Sequence, residues 1–591
     1  MINRLLLRIS RISSKNTALE KGYFVLLASF VGIFVSIIAA VFRELLTRTD
    51  VFFLMQDSKL LGIPKAFAIP ALPAIGGLVG GYIVYKLIRK PGLHGVPSVM
   101  KAVALRNLNL LHPHTALIAL TSIFTIGSGG SAGPEGPIVE IGSVVGATVG
   151  KKTRISRERK GLLVGCGAAA GIAAMFNAPI GGVVFTLEII LRTFSIRAFA
   201  PVVISAVAAS LLSRGYFGNY PPFYIERTLV FKYVSLRGLF FYALLGLFCA
   251  LLSILFMNLL KRVQDVFQKI KIAPWLKPCL GGLLAGIIGI AAPDVLGEGY
   301  QAISENLRAS LTVKWALALV FLKILATCLT LGSGAIGGVF APSLFIGACA
   351  GGAMGSFFMH YTPNLVNTDA PILFALAGMG GMLAGTLTAP LTGILLIFEV
   401  TGGQYQMVLP LMFTVAISSI IARSLTKQSI YTMSLLRDGF NVENAALPNL
   451  LSLSTAAAVM HPPTKFLKET DTLPNILHHA AEVHDTIFPV EDKEGRFIGL
   501  ITLNDLKSVL AIGDMGRIII AADIADPLPR TLTPEDTLDK ALNLMTETET
   551  EAVPIVSDRQ PDKLLGIIRR QDIFAVYKKI LEGQDTEIFL E

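Results

Sequence analysis

GSGGSAGPEGP (Gly127–Pro137) and GSGAIGGVFAP (Gly332–Pro342) each interrupt a long apolar stretch of this 591-residue chain. The two are copies. Shifted by 205 positions, Gly127-Ser128-Gly129 falls on Gly332-Ser333-Gly334, Gly133 on Gly338, Pro137 on Pro342, Ile141-Gly142 on Ile346-Gly347 and Gly146 on Gly351. Eight identities within twenty positions exceed chance even in a glycine-rich chain. At a shift of 211, Ala178-Pro179 falls on Ala389-Pro390, Gly182 on Gly393 and Glu188 on Glu399. A duplicated unit is therefore expected over roughly 23–215 and 237–440.

The segments that follow the two glycine stretches differ in charge. Lys151–Lys160 reads KKTRISRERK and carries six basic residues, whereas Ser356–Asp369 carries no Lys or Arg. Basic flanks stay on the cytoplasmic side of a membrane, so the two ends lie on opposite sides and the repeats are inverted. Composition also points to a bilayer: 53% of residues are hydrophobic, 16% are charged, and the mean hydropathy is +0.64. A soluble chain usually carries about 25% charge. The net charge of +10 comes from basic residues that flank apolar segments, which fits membrane orientation and not nucleic-acid binding.

Apolar runs fill Tyr23 to about Leu425, among them Tyr23–Val41, Ala66–Ile88, Leu239–Leu260, Leu280–Ala292 and Val408–Ile421. Several are shorter than the ~20 residues that a straight span needs, and Gly and Pro break many of them. Irregular backbone at membrane depth must be buried in protein or line a wet cavity. Broken helices in inverted repeats therefore predict a transport site near the midplane, where half-helix N-termini meet. The expected fold is an all-α polytopic membrane domain of two inverted repeats over residues 23–448, with a soluble tail at 449–591. A basic amphipathic helix at 1–22 precedes it; a transit peptide is the other reading of that segment. Repeats that each cross an odd number of times leave both termini in the cytoplasm.

Glycine lets backbone N–H groups approach a ligand closely, and a helix N-terminus offers unpaired donors with partial positive charge. Together they bind a small anion, such as chloride, without a full countercharge, which keeps release fast. Neither glycine stretch contains Lys or Arg, and this also excludes a P-loop. One acid stands where such N–H groups should point: Glu135, in Gly133-Pro-Glu-Gly-Pro137. Its carboxylate can occupy an anion position and leave it by protonation or rotation; the alternative is a plain helix cap. Phe340 takes the matching place in the second repeat, so only one half carries this candidate gate.

The tail repeats too. Asp471-Thr-Leu473 recurs as Asp536-Thr-Leu538, Pro489 as Pro554, Phe497–Ile501 as Leu564–Ile568, and Asp505 as Asp572. Each unit reads as helix, strand, strand, helix. A unit of ~60 residues is marginal alone, so the copies are expected to pack on each other.

At these residues the chain closely resembles the CLC family of chloride channels and chloride/proton exchangers. GxEGP matches Gly133–Pro137, GxFxP matches Gly338-Val-Phe-Ala-Pro342, and the more loosely matched first motif, GSGIPE, falls on Leu93-His-Gly-Val-Pro-Ser98. The family's late tyrosine matches Tyr431. The resemblance implies that Glu135 gates the path. It implies an anion site built from His94, Gly95, Val96, Pro97, Gly136, Gly338, Val339, Phe340, Ala341 and Tyr431. It also implies a homodimer with one pore per subunit, in a cell (inner) membrane, and a tail made of two CBS domains, near 456–512 and 523–582.

Two departures bear on mechanism. The family serine that favours chloride over nitrate is His94 here, so anion preference is open; His94 either donates a ring N–H to the anion or only packs. Proton-coupled relatives carry a glutamate after the acid that matches Glu188, and here Ile189 takes that place. Both a channel and a proton/chloride antiporter stay open, and the duplication of Glu188 as Glu399 favours a structural role for that acid. CBS pairs often bind ATP, ADP or AMP through G-h-h-[ST]-x-x-D. Gly499–Asp505 fits, with Thr502 and Asp505 in the key positions, whereas Gly566–Asp572 puts Arg569 in place of the hydroxyl residue ahead of Asp572. The other reading is that the domains only pack and dimerise. No resident cofactor or metal is required. A cation transporter would want acids along the spans, and few are present. The chain lacks HExxH, a nucleophile elbow and clustered metal ligands, which argues against an enzyme. The five cysteines lie singly in apolar surroundings and read as packing residues.

Overall fold

The computed structural model describes residues 17–54, 64–89, 92–105, 108, 114–153, 155–223, 236–308, 311–363, 369–403, 405–442, 451, 454–462, 465–482, 487–510, 519–527, 531–548, 550–558, 560 and 562–581. The helix expected at 1–22 lies outside them up to residue 16, as does the boundary expected at 448/449. The chain divides into two compact units, Met1–Phe440 and Asn441–Glu591.

The first unit is helical. Its elements are α1 (Thr17–Leu54), α2 (Lys65–Tyr82), α3 (Val96–Ala104), α4 (Thr115–Gly127), α5 (Glu135–Lys152), α6 (Arg157–Phe176), α7 (Pro179–Phe185) and α8 (Ile196–Phe217), then α9 (Leu236–Lys269), α10 (Lys277–Ala291), α11 (Tyr300–Leu307), α12 (Val313–Gly332), α13 (Phe340–Tyr361), α14 (Ala370–Leu387), α15 (Pro390–Val400) and α16 (Val408–Thr426), closed by α17 (Ile430–Arg437). Helices α1–α8 and α9–α16 thus run in the same order of long and short elements. Among the described residues, ten helical segments are long and apolar enough to cross a membrane, while α4, α7 and α15 belong to shorter apolar pieces.

The first helix shows why this surface belongs in lipid. On α1, Leu27, Val31, Val35, Phe42 and Leu46 are buried, yet Leu26, Phe30, Phe34, Ile37, Val41 and Leu45 are exposed. A helix that is apolar all round is stable only when hydrocarbon covers its outer face.

Small residues set the packing inside each half. A Cβ added to Gly142 on α5 would collide with the Gly167 carbonyl on α6, and one on Gly167 with the Gly142 carbonyl. The second half repeats this contact between Gly347 on α13 and Gly378 on α14. Close backbone approach of this kind is how helices gain packing energy in lipid, where burial of apolar area contributes little.

The two halves exchange identical contacts. The Glu188 carboxylate accepts from the Leu391 and Thr392 N–H groups (3.1 and 2.7 Å) at the start of α15, and from the Thr392 hydroxyl (2.6 Å). Glu399 on α15 accepts from Ile180 and Gly181 N–H (3.2 and 2.8 Å) at the start of α7. Reciprocal contact of matching residues is what a two-fold relation between halves requires. Each acid fills donors that a helix N-terminus leaves open. Replacing Glu188 with Ala is expected to cost about 1–3 kcal/mol, seen as a lower melting midpoint of the detergent-solubilised protein, and Gln to cost less because its oxygen still accepts.

The second unit holds a four-stranded sheet in the order β1 (Leu467–Lys468), β2 (Ile487–Glu491), β3 (Phe497–Thr502), β4 (Asp526–Pro527), and a two-stranded sheet of β5 (Ala552–Val556) and β6 (Leu564–Arg569). Helices α18 (Leu473–Glu482), α19 (Leu503–Leu510), α20 (Ala521–Ile524), α21 (Leu538–Glu547) and α22 (Arg570–Leu581) accompany them. The copies share a core in which Ile487, Phe497 and Leu500 pack with Ala552, Val556, Leu564 and Ile567. The repeated acids hold the repeated turns. Asp471 accepts from Lys468 N–H (2.8 Å) and Asp536 from Thr533 N–H (2.9 Å). Partial burial raises the Asp536 pKa, but Lys540 at 2.6 Å and the two Thr533 donors outweigh it and hold the carboxyl below its usual range.

Candidate anion path

The two glycine stretches meet. Gly133 N–H donates to the Gly338 carbonyl at 2.9 Å, and Gly338 N–H returns to the Gly133 carbonyl at 2.6 Å. This bridge sets the N-termini of α5 and α13 side by side. Glu135, the first residue of α5, is fully enclosed. No side chain caps α5 itself; the Glu135 carboxylate reaches across the bridge, and its Oε1 accepts from the Ala341 N–H in the first turn of α13. Its Oε2 is enclosed without a hydrogen-bond partner. A Cβ at either Gly133 or Gly338 would occupy the space of this carboxylate, so glycine at both positions leaves it room in this placement. Phe340, the counterpart of Glu135, turns into the core and packs on Phe176 and Phe185, with ring centroids 5.5 and 6.4 Å away.

On one side of this pair opens a cavity of about 470 Å³, whose wall includes His94, Gly95, Val96, Pro97, Gly136, Gly338, Val339 and Tyr431. Eight of the ten residues expected to form the anion site thus lie on one surface; Phe340 and Ala341 lie buried behind it, at the first turn of α13. Glu188 and Ile189 are not on that wall. Tyr431 comes from α17, whose start is fixed by a reciprocal cap between Ser429 and Thr432. Around the cavity, Lys101 pairs with Asp438 at 2.5 Å and Arg437 with Asp265 at 2.6 Å, tying α3 and α9 to the end of α17.

Gly95 lies on the wall, and its N–H is donated to Glu140 Oε2 at 2.6 Å. Glu140 is fully buried on α5 and went unnoticed in the sequence, although a second acid in so apolar a helix is itself a signal. Lys323 was missed as well. It is fully buried on α12, donates to the Val295 and Gly297 carbonyls at 2.9 Å each, and lies 4.9 Å from the Phe345 ring centre. Lys323 acts electrostatically on Glu135, as does Glu298, the acid in the loop before α11. Of the two lysines in the helix Val313–Gly332, Lys314 stands at its start, and Lys323, in the middle of the apolar run, was the readable sign of this cluster.

In the second unit, Asp505 Oδ2 accepts from the Thr502 N–H and hydroxyl at 2.7 and 2.6 Å. Asp572 Oδ2 accepts from the Arg569 N–H at 3.0 Å, and its Oδ1 lies 3.6 Å from His461 Nε2. Each acid thus holds the turn from strand to helix.

Residues 76–423 match the family described as voltage gated chloride channel, and residues 456–512 and 521–579 each match the CBS domain. The chain is 30% identical over 415 residues to the voltage-gated ClC-type chloride channel ClcB of Escherichia coli O81 (strain ED1a), covering 69% of this chain and 97% of that one. It is similar in structure to a slow cyanobacterial Cl⁻/H⁺ antiporter, with a TM-score of 0.63, 25% identity, and coverage of 70% of this chain and 97% of the other. It shares its fold with a eukaryotic CLC transporter at a TM-score of 0.61 and 19% identity, over 93% of this chain and 97% of that one.

Proposed function

Because the chain belongs to the CLC family of voltage gated chloride channels and ends in a pair of CBS domains, we propose that this multi-pass membrane protein carries chloride along a path gated by Glu135. The observation that carries this reading is the Glu135 carboxylate seated on the Ala341 N–H of α13. There it takes a donor that a permeant anion would use. While the carboxylate sits there, chloride and carboxylate compete for one position. The unpartnered Oε2 is where a proton can add, and a neutral carboxyl binds the N–H less strongly. The gate then yields to chloride.

Two modes fit such a path, an anion channel or a proton/chloride antiporter, and the solved antiporter of similar structure supports the second. Ile189 in place of a titratable side chain supports the first. Chloride efflux from proteoliposomes, with external pH recorded, decides: efflux that drives protons uphill establishes exchange, and efflux without proton movement establishes a channel. Running the same assay with nitrate tests His94, since equal flux of both anions sinks the chloride-selective reading. No anion flux at all overturns the function.

The protein acts as a homodimer with both termini in the cytoplasm of a cell whose inner membrane it spans; the six basic residues of Lys151–Lys160 support that orientation. The CBS pair binds an adenine nucleotide through Thr502 and Asp505 at its better-matched site, with Asp572 marking the weaker one. Titration calorimetry with ATP, ADP and AMP is expected to show one site per chain, lost on Asp505→Ala. Equal binding by the variant removes Asp505 from the site.

A further inference from the structure

Glu140 lies five residues beyond Glu135 on α5, and the gate just described makes no use of it. It is 0% exposed. Its Oε2 accepts the Gly95 N–H at 2.6 Å, and its Oε1 is enclosed with no hydrogen-bond partner. Gly95 is the residue from which α3 starts. Its φ of 69° and ψ of −143° are open only to glycine, and no side-chain bond caps the helix from that residue. A Cβ on Gly95 would stand 3.2 Å from the Gly136 Cα. Gly95 therefore stands on the wall of the anion cavity, beside the residue that follows Glu135, while its N–H turns to Glu140.

One helix thus sends two carboxylates to the starts of two others. Glu135 holds the Ala341 N–H at α13, and Glu140 holds the Gly95 N–H at α3. The first donor lies just behind the cavity, and the second belongs to a residue on its wall. A helix cap needs only an acceptor oxygen. A full charge, buried and with one oxygen unpartnered, is far costlier than an amide at the same place. That cost makes sense where the charge itself acts on what enters the cavity.

We propose that Glu140 is a second built-in anion, a specificity-determining residue that withholds the Gly95 N–H from the permeant ion and repels anions from the first loop. The inference rests on the anion-transport reading. It separates two roles that a cap would merge: the oxygen positions α3, and the charge limits anion occupancy.

The test uses the purified full-length protein, titrated with chloride and with bromide, and the same protein in liposomes with chloride and nitrate gradients. Glu140→Gln keeps an acceptor for the Gly95 N–H and removes the charge. It is expected to bind chloride on the order of tenfold more tightly, as loss of a like charge a few ångströms away dictates in a partly desolvated site. Glu140→Ala also frees the N–H and is expected to change the chloride/nitrate flux ratio. If the parent transports chloride and Glu140→Gln matches it in affinity and flux ratio, Glu140 is only a cap, and this inference alone falls. If neither the parent nor the variants bind or pass any anion, the inference falls together with the anion-transport reading. Should Glu140→Ala fail to fold, the Gln variant still decides, because it retains the positioning bond.

Discussion

Glu135→Gln is expected to raise chloride flux at neutral pH about tenfold and to flatten its dependence on pH. The amide has nearly the shape of the carboxylate, so it still fits the space left by Gly133 and Gly338. What it loses is charge. A bond from an N–H to a carboxylate contributes about 1.5–3 kcal/mol, and one to a neutral oxygen about 1 kcal/mol. A difference of about 1–2 kcal/mol corresponds to roughly five- to thirty-fold more time with the Ala341 N–H free for the ion. The amide cannot take up or release the proton, so the pH term disappears with the charge. If the reconstituted protein is a proton/chloride antiporter, coupling is lost in the same variant. Flux and pH profile identical to those of the parent would remove Glu135 from the gate and leave it as a bridge between α5 and α13.

Gly347→Val is expected to cost 3 kcal/mol or more, roughly the upper end of overpacking effects. Gly347 and Gly378 face each other across the α13–α14 crossing, and each would drive a Cβ into the other's carbonyl. Neither neighbour is a flexible side-chain tip that can swing away. Helix α13 also carries the Ala341 donor, so separating it from α14 displaces the gate as well as loosening the half. The expected result is loss of a monodisperse peak in size-exclusion chromatography after mild heating, with residual flux well below that of the parent. Gly142→Val, at the matching α5–α6 crossing, should behave alike. If only one of the two variants fails, the halves are not equivalent in packing.

The glycine stretches and their duplication were legible because close backbone approach leaves little choice of residue: by lacking a Cβ, Gly133 and Gly338 leave room for Glu135. A structural role for Glu188 was legible from its duplication as Glu399, but that each acid bonds the helix start of the other half was not. Lys323 and Glu140 were not read, although each stood in plain apolar context. Charge pairing inside a membrane domain depends on which loops fold against it. The carbonyls that hold Lys323 belong to Val295 and Gly297, 28 and 26 residues away, and the N–H that holds Glu140 belongs to Gly95, 45 residues away. The same limit applied to Gly95. Its position on the anion wall was visible, whereas the carboxylate that takes its donor was not.

The crossed contacts of Glu188 with the start of α15 and of Glu399 with the start of α7 have a consequence for how the protein is made. Glu188 leaves the ribosome 204 residues before Thr392, the group that completes it. At about 5–20 residues per second that is a wait of roughly ten to forty seconds. For that interval the newborn first half carries an unsatisfied acid and an open helix start, Ile180 and Gly181, at a surface meant for its twin. Until the second half arrives, that surface lacks the bonds that close it in the folded protein. Each copy thus completes the other only after both have been synthesised.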